Sequence, residues 1–290
     1  MAIIVITGTS TGIGQATAIV LGRAGHDVFA TMRNPDRSTE LQSIAKQEKL
    51  PITILPLDVD KDESVSHTIN QILTERGRID VLVNNAGISS LEALEKLELP
   101  EFQKIMQTNL FGALRCIKTV LPGMRTRRSG CIVNVSSLCG RIAVPGMTAY
   151  CASKYALEGL SEALAGEVKA HNIRIAIVEP GVIETPIFYK DDSPSKDSLY
   201  PQPRRQMAAF EASLENHTSP FVVGELIREI IESDNWQLRY PAGPDAAGLL
   251  AWRNSLSDED FIQIYGASDD KEWCDYALST FGLDMKPFLS

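Results

Sequence analysis

The chain has 290 residues, 44% hydrophobic and 22% charged, enough to bury a sizeable core without staples. A net charge of −9 and a pI near 5.1 exclude the basic stripe that a nucleic-acid-binding surface requires. Cys116, Cys131, Cys139, Cys151 and Cys274 are odd in number and form no CxxC pair, which reads as reduced thiols rather than a disulfide framework.

The longest apolar runs, such as Ala2 to Ile6, fall far short of the roughly 20 residues of a membrane span. The opening Met1–Val5 lacks the charged start of a secretory signal. These features set the expectation of a cytoplasmic protein with no integral membrane segment and no nucleic-acid partner.

As far as Pro180, short β-branched runs alternate with amphipathic stretches. Strands are predicted at Ile3–Thr7, Asp27–Met32, Ile52–Leu57, Val81–Asn84, Cys131–Ser136 and Arg174–Glu179. Helices are predicted near Ile13–Gly25, Glu63–Arg76, Glu101–Met124 and Tyr150–His171. Such alternation implies βαβ units and a parallel sheet, and the nearly all-apolar runs AIIVI, DVLVN and IRIAIV suit strands covered on both faces. The Leu157, Leu160, Leu164 and Val168 stripe could face a second copy of the chain or its own sheet.

After Gly181 the character changes. Asp191–Arg205 reads as a loop, with helices predicted again at Gln206–Glu215 and Val222–Ser233. From Tyr240 the tail carries scattered aromatics, Trp252, Tyr265, Trp273 and Phe281. These could cover a cleft, but packing against the domain edge is the expectation.

Gly8, Gly12 and Gly14 sit in Thr7-Gly8-Thr9-Ser10-Thr11-Gly12-Ile13-Gly14, between a predicted strand and a predicted helix. There, glycines allow a tight turn and close approach of a phosphate to the backbone, and the helix start offers free N–H groups to a pyrophosphate. A merely flexible loop is the plainer alternative.

The G-x-x-x-G-x-G spacing resembles the short-chain dehydrogenase/reductase family, and further features follow in that family's order. Asp58-Val59 follows the third strand; Asn84-Asn85-Ala86-Gly87 ends the fourth; Ser137 follows the fifth; Tyr150 and Lys154 open the next helix; and Pro180-Gly181-Val182-Ile183-Glu184-Thr185 follows the sixth. The resemblance covers roughly residues 1–240 and is greatest to hydroxysteroid and retinol dehydrogenase-like members. It implies a Rossmann-type, doubly wound α/β domain over 1–240, with a substrate lid at 186–220 and a C-terminal extension, 241–290, packed on the same domain. It also implies homodimers or homotetramers, and cofactor contacts from Gly8, Ser10, Gly12, Ile13, Gly14, Arg33, Asp58, Val59, Asn85, Ala86, Gly87, Tyr150, Lys154, Pro180, Gly181, Ile183 and Thr185.

Moving a hydride to or from a carbinol carbon also requires moving a proton on its oxygen. Tyrosine can do this if a nearby ammonium lowers its pKa from about 10, and Tyr150 and Lys154 share a helix face at four-residue spacing. Such a pair also occurs by chance on solvated helices. The family reading gives Ser137, thirteen residues before Tyr150, the task of orienting the substrate oxygen. It gives Asn109 a helix distortion and a water linking Lys154 to solvent. No His and Cys cluster suggests a metal.

An acidic residue about 20 residues beyond the glycines usually marks an NAD site. Here Arg33 stands nineteen residues after Gly14, where a guanidinium can grip a 2′-phosphate; NADP (NADPH) is therefore expected over NAD. Val144, Met147, Phe188 and the Met207–Phe210 segment suggest a pocket for a bulky hydrophobic alcohol or ketone, steroid- or retinoid-like. A non-catalytic NADP(H)-sensing protein on the same fold, an NAD-preferring dehydrogenase of a small hydroxy compound, and an epimerase or dehydratase stay open as alternatives.

Overall fold

The computed structural model describes residues 1–188, 198–267 and 269–289. Its strands are β1 (Ile3–Thr7), β2 (Asp27–Met32), β3 (Ile52–Pro56), β4 (Val81–Asn84), β5 (Gly130–Val135), β6 (Ile173–Pro180) and β7 (Arg239–Ala242). They form one parallel sheet in the order β3-β2-β1-β4-β5-β6-β7. Chain direction across the sheet reverses between β1 and β4, and in doubly wound sheets ligands bind beyond the carboxyl ends at that point.

The apolar runs need cover on both faces, and helices supply it. On one face, α1 (Gly12–Arg23), α2 (Thr39–Gln47) and α8 (Pro220–Glu232) pack Ile19, Leu41, Val223 and Ile227 against Ile4, Ile6, Val83 and Val133. On the other, α3 (Asp62–Arg76), α5 (Ala113–Arg127) and α6 (Thr148–Val168) pack Ile69, Ile117, Val120 and Leu164 against Val5, Phe29, Leu82 and Ile175. Each such side chain contributes about 1.5–3 kcal/mol on full burial. The Leu160, Leu164 and Val168 part of the α6 stripe lies in this second core, and Leu157 is also buried. The stripe therefore serves largely the chain's own packing, with Leu160 partly buried.

The long helix predicted at Glu101–Met124 is interrupted. Helix α4 (Leu99–Met106) passes through a π-helical segment, Gln107–Gly112, into α5. Such bulges recur at functional positions, and this one carries Asn109.

Beyond β6, the predicted loop Asp191–Arg205 is shortened by α7 (Gln202–Leu214). Its expected hinge, Asp191–Ser195, lies outside the described residues. Strand β7 and helices α9 (Ala246–Asn254), α10 (Asp258–Tyr265) and α11 (Asp270–Phe281) were not predicted. A four-residue strand containing Pro241 is tolerated only at a sheet edge, which is where β7 lies. It spans the boundary expected at residue 240, so the extension starts within the sheet.

The glycine turn depends on space at Gly14. A Cβ there would lie 2.4 Å from the Gly8 carbonyl oxygen and 2.4 Å from Asn85 Nδ2. By contrast, a Cβ at exposed Gly159, inside α6, meets nothing within 4 Å. In denaturant unfolding, Gly14→Ala is expected to lose about 1–3 kcal/mol and Gly159→Ala to gain about 0.5–1 kcal/mol. Equal effects would contradict the packing described.

Candidate active site

The turn after β1 is shaped by glycines at two points. Gly8 and Gly12 have positive φ, +72° and +60°, which only glycine adopts without strain. A Cβ at Gly8 would fall 2.7 Å from Ala86 Cα, and one at Gly12 would fall 3.1 Å from Thr185 Cγ2. The loops after β1, β4 and β6 thus touch one another. Asn85 joins two of them, donating through Nδ2 to the carbonyls of Thr7 (3.0 Å) and Gly8 (2.9 Å). Thr11 makes no side-chain cap at the start of α1, leaving helix N–H groups available to an anion.

Above these loops lies a cleft of about 860 Å³, within the usual range for small-molecule sites. Of the expected cofactor residues, all but Gly14 line it; Gly14 instead packs the first helix onto the turn. Arg33, just past β2, is exposed and lines the cleft, and no described residue pairs with its guanidinium. A cradle that side-chain carbons would fill, free N–H groups and an uncommitted cation together fit a phosphorylated dinucleotide.

Ser137, Tyr150 and Lys154 line the same cleft. Ser137 lies two residues past β5, before a short 3-10 turn at Leu138–Gly140, and its Oγ accepts the Cys139 N–H at 3.1 Å. Tyr150, in the first turn of α6, is 9% exposed. Lys154 is 4% exposed; its ammonium donates to the Val135 carbonyl at 2.9 Å and lies 5.6 Å from the Tyr150 ring centroid.

Burial pushes the Lys154 ammonium down to about 8, with Cys139 and Glu158 acting in the opposite direction. Burial also raises Tyr150 above its ordinary value, aided by Cys139 and opposed by a hydrogen bond from Ser137. This runs opposite to the expected lowering of the tyrosine pKa: in the free chain burial, which disfavours the phenolate, dominates, and Tyr150 is a neutral phenol.

Asn109 sits behind the cleft, not on it. Its Oδ1 accepts the Ile88 N–H at 2.9 Å, while Nδ2 donates to the Ile88 carbonyl and to Ser153 Oγ, each at 2.9 Å. The amide therefore ties the π segment to the loop after β4 and to α6.

The walls of the cleft extend beyond what the sequence marked. Val144, Met147, Ala209 and Phe210 line it as expected, Met207 and Ala208 of the same segment do not, and the Phe188 side chain lies outside what is described. Trp252, Tyr265, Trp273 and Phe281 line it too, contrary to the expectation that they pack at the domain edge. Their rings contact one another in sequence, Trp252 with Phe281 at 5.0 Å and Tyr265 with Trp273 at 5.0 Å between centroids. Helix α7 is fixed to this aromatic wall: buried Arg205 donates to Asp270 Oδ1 at 2.8 Å and to the Ala267 carbonyl at 2.6 Å. Asp245 was also missed. The available signal was a run of aromatics on short helical windows after the last apolar strand.

Comparisons with known proteins agree with this arrangement. The short chain dehydrogenase pattern matches residues 2–195. The 3-ketodihydrosphingosine reductase of Bacteroides thetaiotaomicron is 36% identical over 268 residues, covering 90% of this chain and 95% of that one. Retinol dehydrogenase 8 of Bos taurus is 42% identical over 186 residues, 63% of this chain and 59% of that one. Among solved structures, a short-chain dehydrogenase from Streptomyces avermitilis aligns with a TM-score of 0.78 at 31% identity, covering 92% of this chain and 97% of that one. An alcohol dehydrogenase from the archaeon Thermococcus sibiricus, complexed with 5-hydroxy-NADP, aligns with a TM-score of 0.70 at 25% identity, covering 83% and 95%. With its glycine turn, its Ser137, Tyr150 and Lys154 on one cleft, and this similarity over nearly its whole length, the chain belongs to the short-chain dehydrogenase family.

Proposed function

We propose that the protein is an NADP(H)-dependent oxidoreductase that interconverts an alcohol and its ketone or aldehyde on a bulky, mainly apolar substrate. The observation that carries this reading is the convergence of Ser137, Tyr150 and Lys154 on the same cleft as the glycine turn. A protein that only sensed a nucleotide would need neither a buried phenol nor a buried ammonium there, and burying them without use is costly.

When bound, the nicotinamide supplies or takes the hydride. The chain's own residues manage the oxygen. Ser137 donates a hydrogen bond that orients the substrate carbonyl. Tyr150, a neutral phenol, donates its proton to that oxygen in the reducing direction and takes it back in the oxidising one. Lys154 stabilises the phenolate so formed and holds the nicotinamide ribose hydroxyls. Asn109 keeps the loop after β4 and helix α6 in register through Ile88 and Ser153. The aromatic wall, in which Trp273 is buried and Trp252 and Tyr265 are half-buried, and Phe210 would exclude water and favour a large apolar body. A steroid- or retinoid-like substrate suits such walls, and the names of two relatives, a 3-ketodihydrosphingosine reductase and a retinol dehydrogenase, support a largely hydrocarbon one.

Cofactor choice rests on Arg33. Its unpaired guanidinium at the end of β2 suits a 2′-phosphate, and the solved relative complexed with 5-hydroxy-NADP supports that choice. Asp58, lining the cleft beyond β3, would contact the adenine. Ile183 and Thr185, from the loop after β6, would face the nicotinamide carboxamide.

Tyr150→Phe is expected to lower turnover of a bulky ketone about 10²- to 10⁴-fold while leaving dinucleotide binding intact. Lys154→Ala should damage both turnover and binding. Near-normal turnover in the phenylalanine variant, followed by nicotinamide absorbance, would overturn the assignment. Arg33→Ala is expected to raise the KM for NADPH by about 10-fold or more, the scale of one charge-assisted hydrogen bond, and to leave that for NADH unchanged. A wild type that prefers NADH, or an unchanged KM for NADPH in the variant, would contradict the choice of cofactor.

A further inference from the structure

The loop after β6 is held from below by a residue that follows β7. Asp245 stands at the start of α9, where a carboxylate ordinarily accepts hydrogen bonds from its own helix, yet it makes no side-chain cap there. Instead its Oδ2 accepts the Val182 N–H at 2.9 Å. The approach is close: a Cβ at Gly181 would lie 2.1 Å from Asp245 Oδ1, and one at Gly243 would lie 3.0 Å from the same atom. Gly243 has φ +102°, so the turn entering α9 takes a conformation that favours glycine. The second oxygen, Oδ1, is buried without a partner among the described residues, a cost that helix capping would have avoided.

The contact reaches further than Val182. Gly181 donates its N–H to the Ala242 carbonyl at 2.9 Å, extending the β6–β7 pairing to the loop. Beyond Ile183, Thr185 rests against Gly12. Asp245, Val182, Ile183 and Thr185 all line the cleft. One carboxylate from the C-terminal segment, outside the residues matched by the family pattern, therefore braces the strip between the glycine turn and the substrate wall.

We propose that Asp245 is a positioning residue for the nicotinamide: by accepting the Val182 N–H it fixes the Gly181–Thr185 turn against which the nicotinamide rests. The proposal depends on the dinucleotide reading given above. A brace at this end of the cleft governs the nicotinamide half of the cofactor and leaves the adenine half, held by the glycine turn, Arg33 and Asp58, untouched.

The test compares two ligands on three purified proteins. NADPH binding is followed by its fluorescence, and binding of 2′-phospho-ADP-ribose, which lacks the nicotinamide, by calorimetry. Asp245→Ala is expected to weaken NADPH about tenfold, the scale of one hydrogen bond to a charged acceptor, and to leave the fragment unchanged. Asp245→Asn, which keeps an acceptor for Val182, should recover most of the NADPH affinity. Should the alanine variant fail to fold, Gly181→Ala, whose Cβ would take the carboxylate's place, is expected to give the same split. Unchanged NADPH affinity, equal loss for both ligands, or no recovery in Asp245→Asn would each overturn the proposal. A wild type that binds neither ligand would contradict the dinucleotide reading itself, and the proposal with it.

Discussion

The buried ammonium of Lys154 is the constraint around which the site is built. A charge removed from water is costly unless its hydrogen bonds are met, and here the Val135 carbonyl, at the carboxyl end of β5, supplies one at 2.9 Å. The registered pairing of β5 with β4 ends at Asn134, one residue earlier, while pairing with β6 continues through Val135, so the lysine is buried at the carboxyl end of the sheet. Gly87 lies beside the ammonium and the Asn109 amide: a Cβ at this position would be in ordinary contact, 3.8 Å from Lys154 Nζ and 3.4 Å from Asn109 Oδ1. With the lysine so placed, helical spacing brings Tyr150 onto the same cleft one turn earlier.

The rest of the molecule divides into rigid support and adjustable wall. Two apolar cores, one on each face of the sheet, fix the strand ends and the loops that leave them. Asparagines tie those ends laterally: Asn84 donates to Asn134, and Asn134 to Ser161, each at 2.8 Å. The wall opposite is made by α7 and the C-terminal helices, joined through buried Arg205 and Asp270. It forms its own small core around Ala208, Trp273 and Met285, so its aromatic lining can vary without disturbing the sheet.

Much of this was legible in the sequence, for physical reasons. Continuous apolar runs such as Ile3–Thr7, alternating with helical stretches, suit strands covered on both faces, and glycines between such a strand and a helix suit a close backbone approach. Helical spacing puts Tyr150 and Lys154 on one face, but it is the resemblance to the short-chain dehydrogenase/reductase family that marks them, with Ser137, as a site. The C-terminal wall was not. Trp252, Tyr265, Trp273 and Phe281 come together only through tertiary packing of short helices, and periodicity carries no information about which cleft an aromatic faces. Asp245 was hidden for a similar reason, since its partner, Val182, is a backbone N–H 63 residues away. The direction of the Tyr150 shift is not legible in the sequence either, because helical spacing does not report the burial that raises it.

The central claim is that Lys154 is a desolvated ammonium poised near neutrality. NMR titration of its side-chain amine in the dinucleotide-free protein, assigned with Lys154→Met, tests this directly. The account predicts a midpoint near 8, far below the ordinary lysine value of about 10.4. A midpoint at the ordinary value would mean that burial does not disfavour the charged amine, and would contradict the desolvated ammonium on which the arrangement of the site depends.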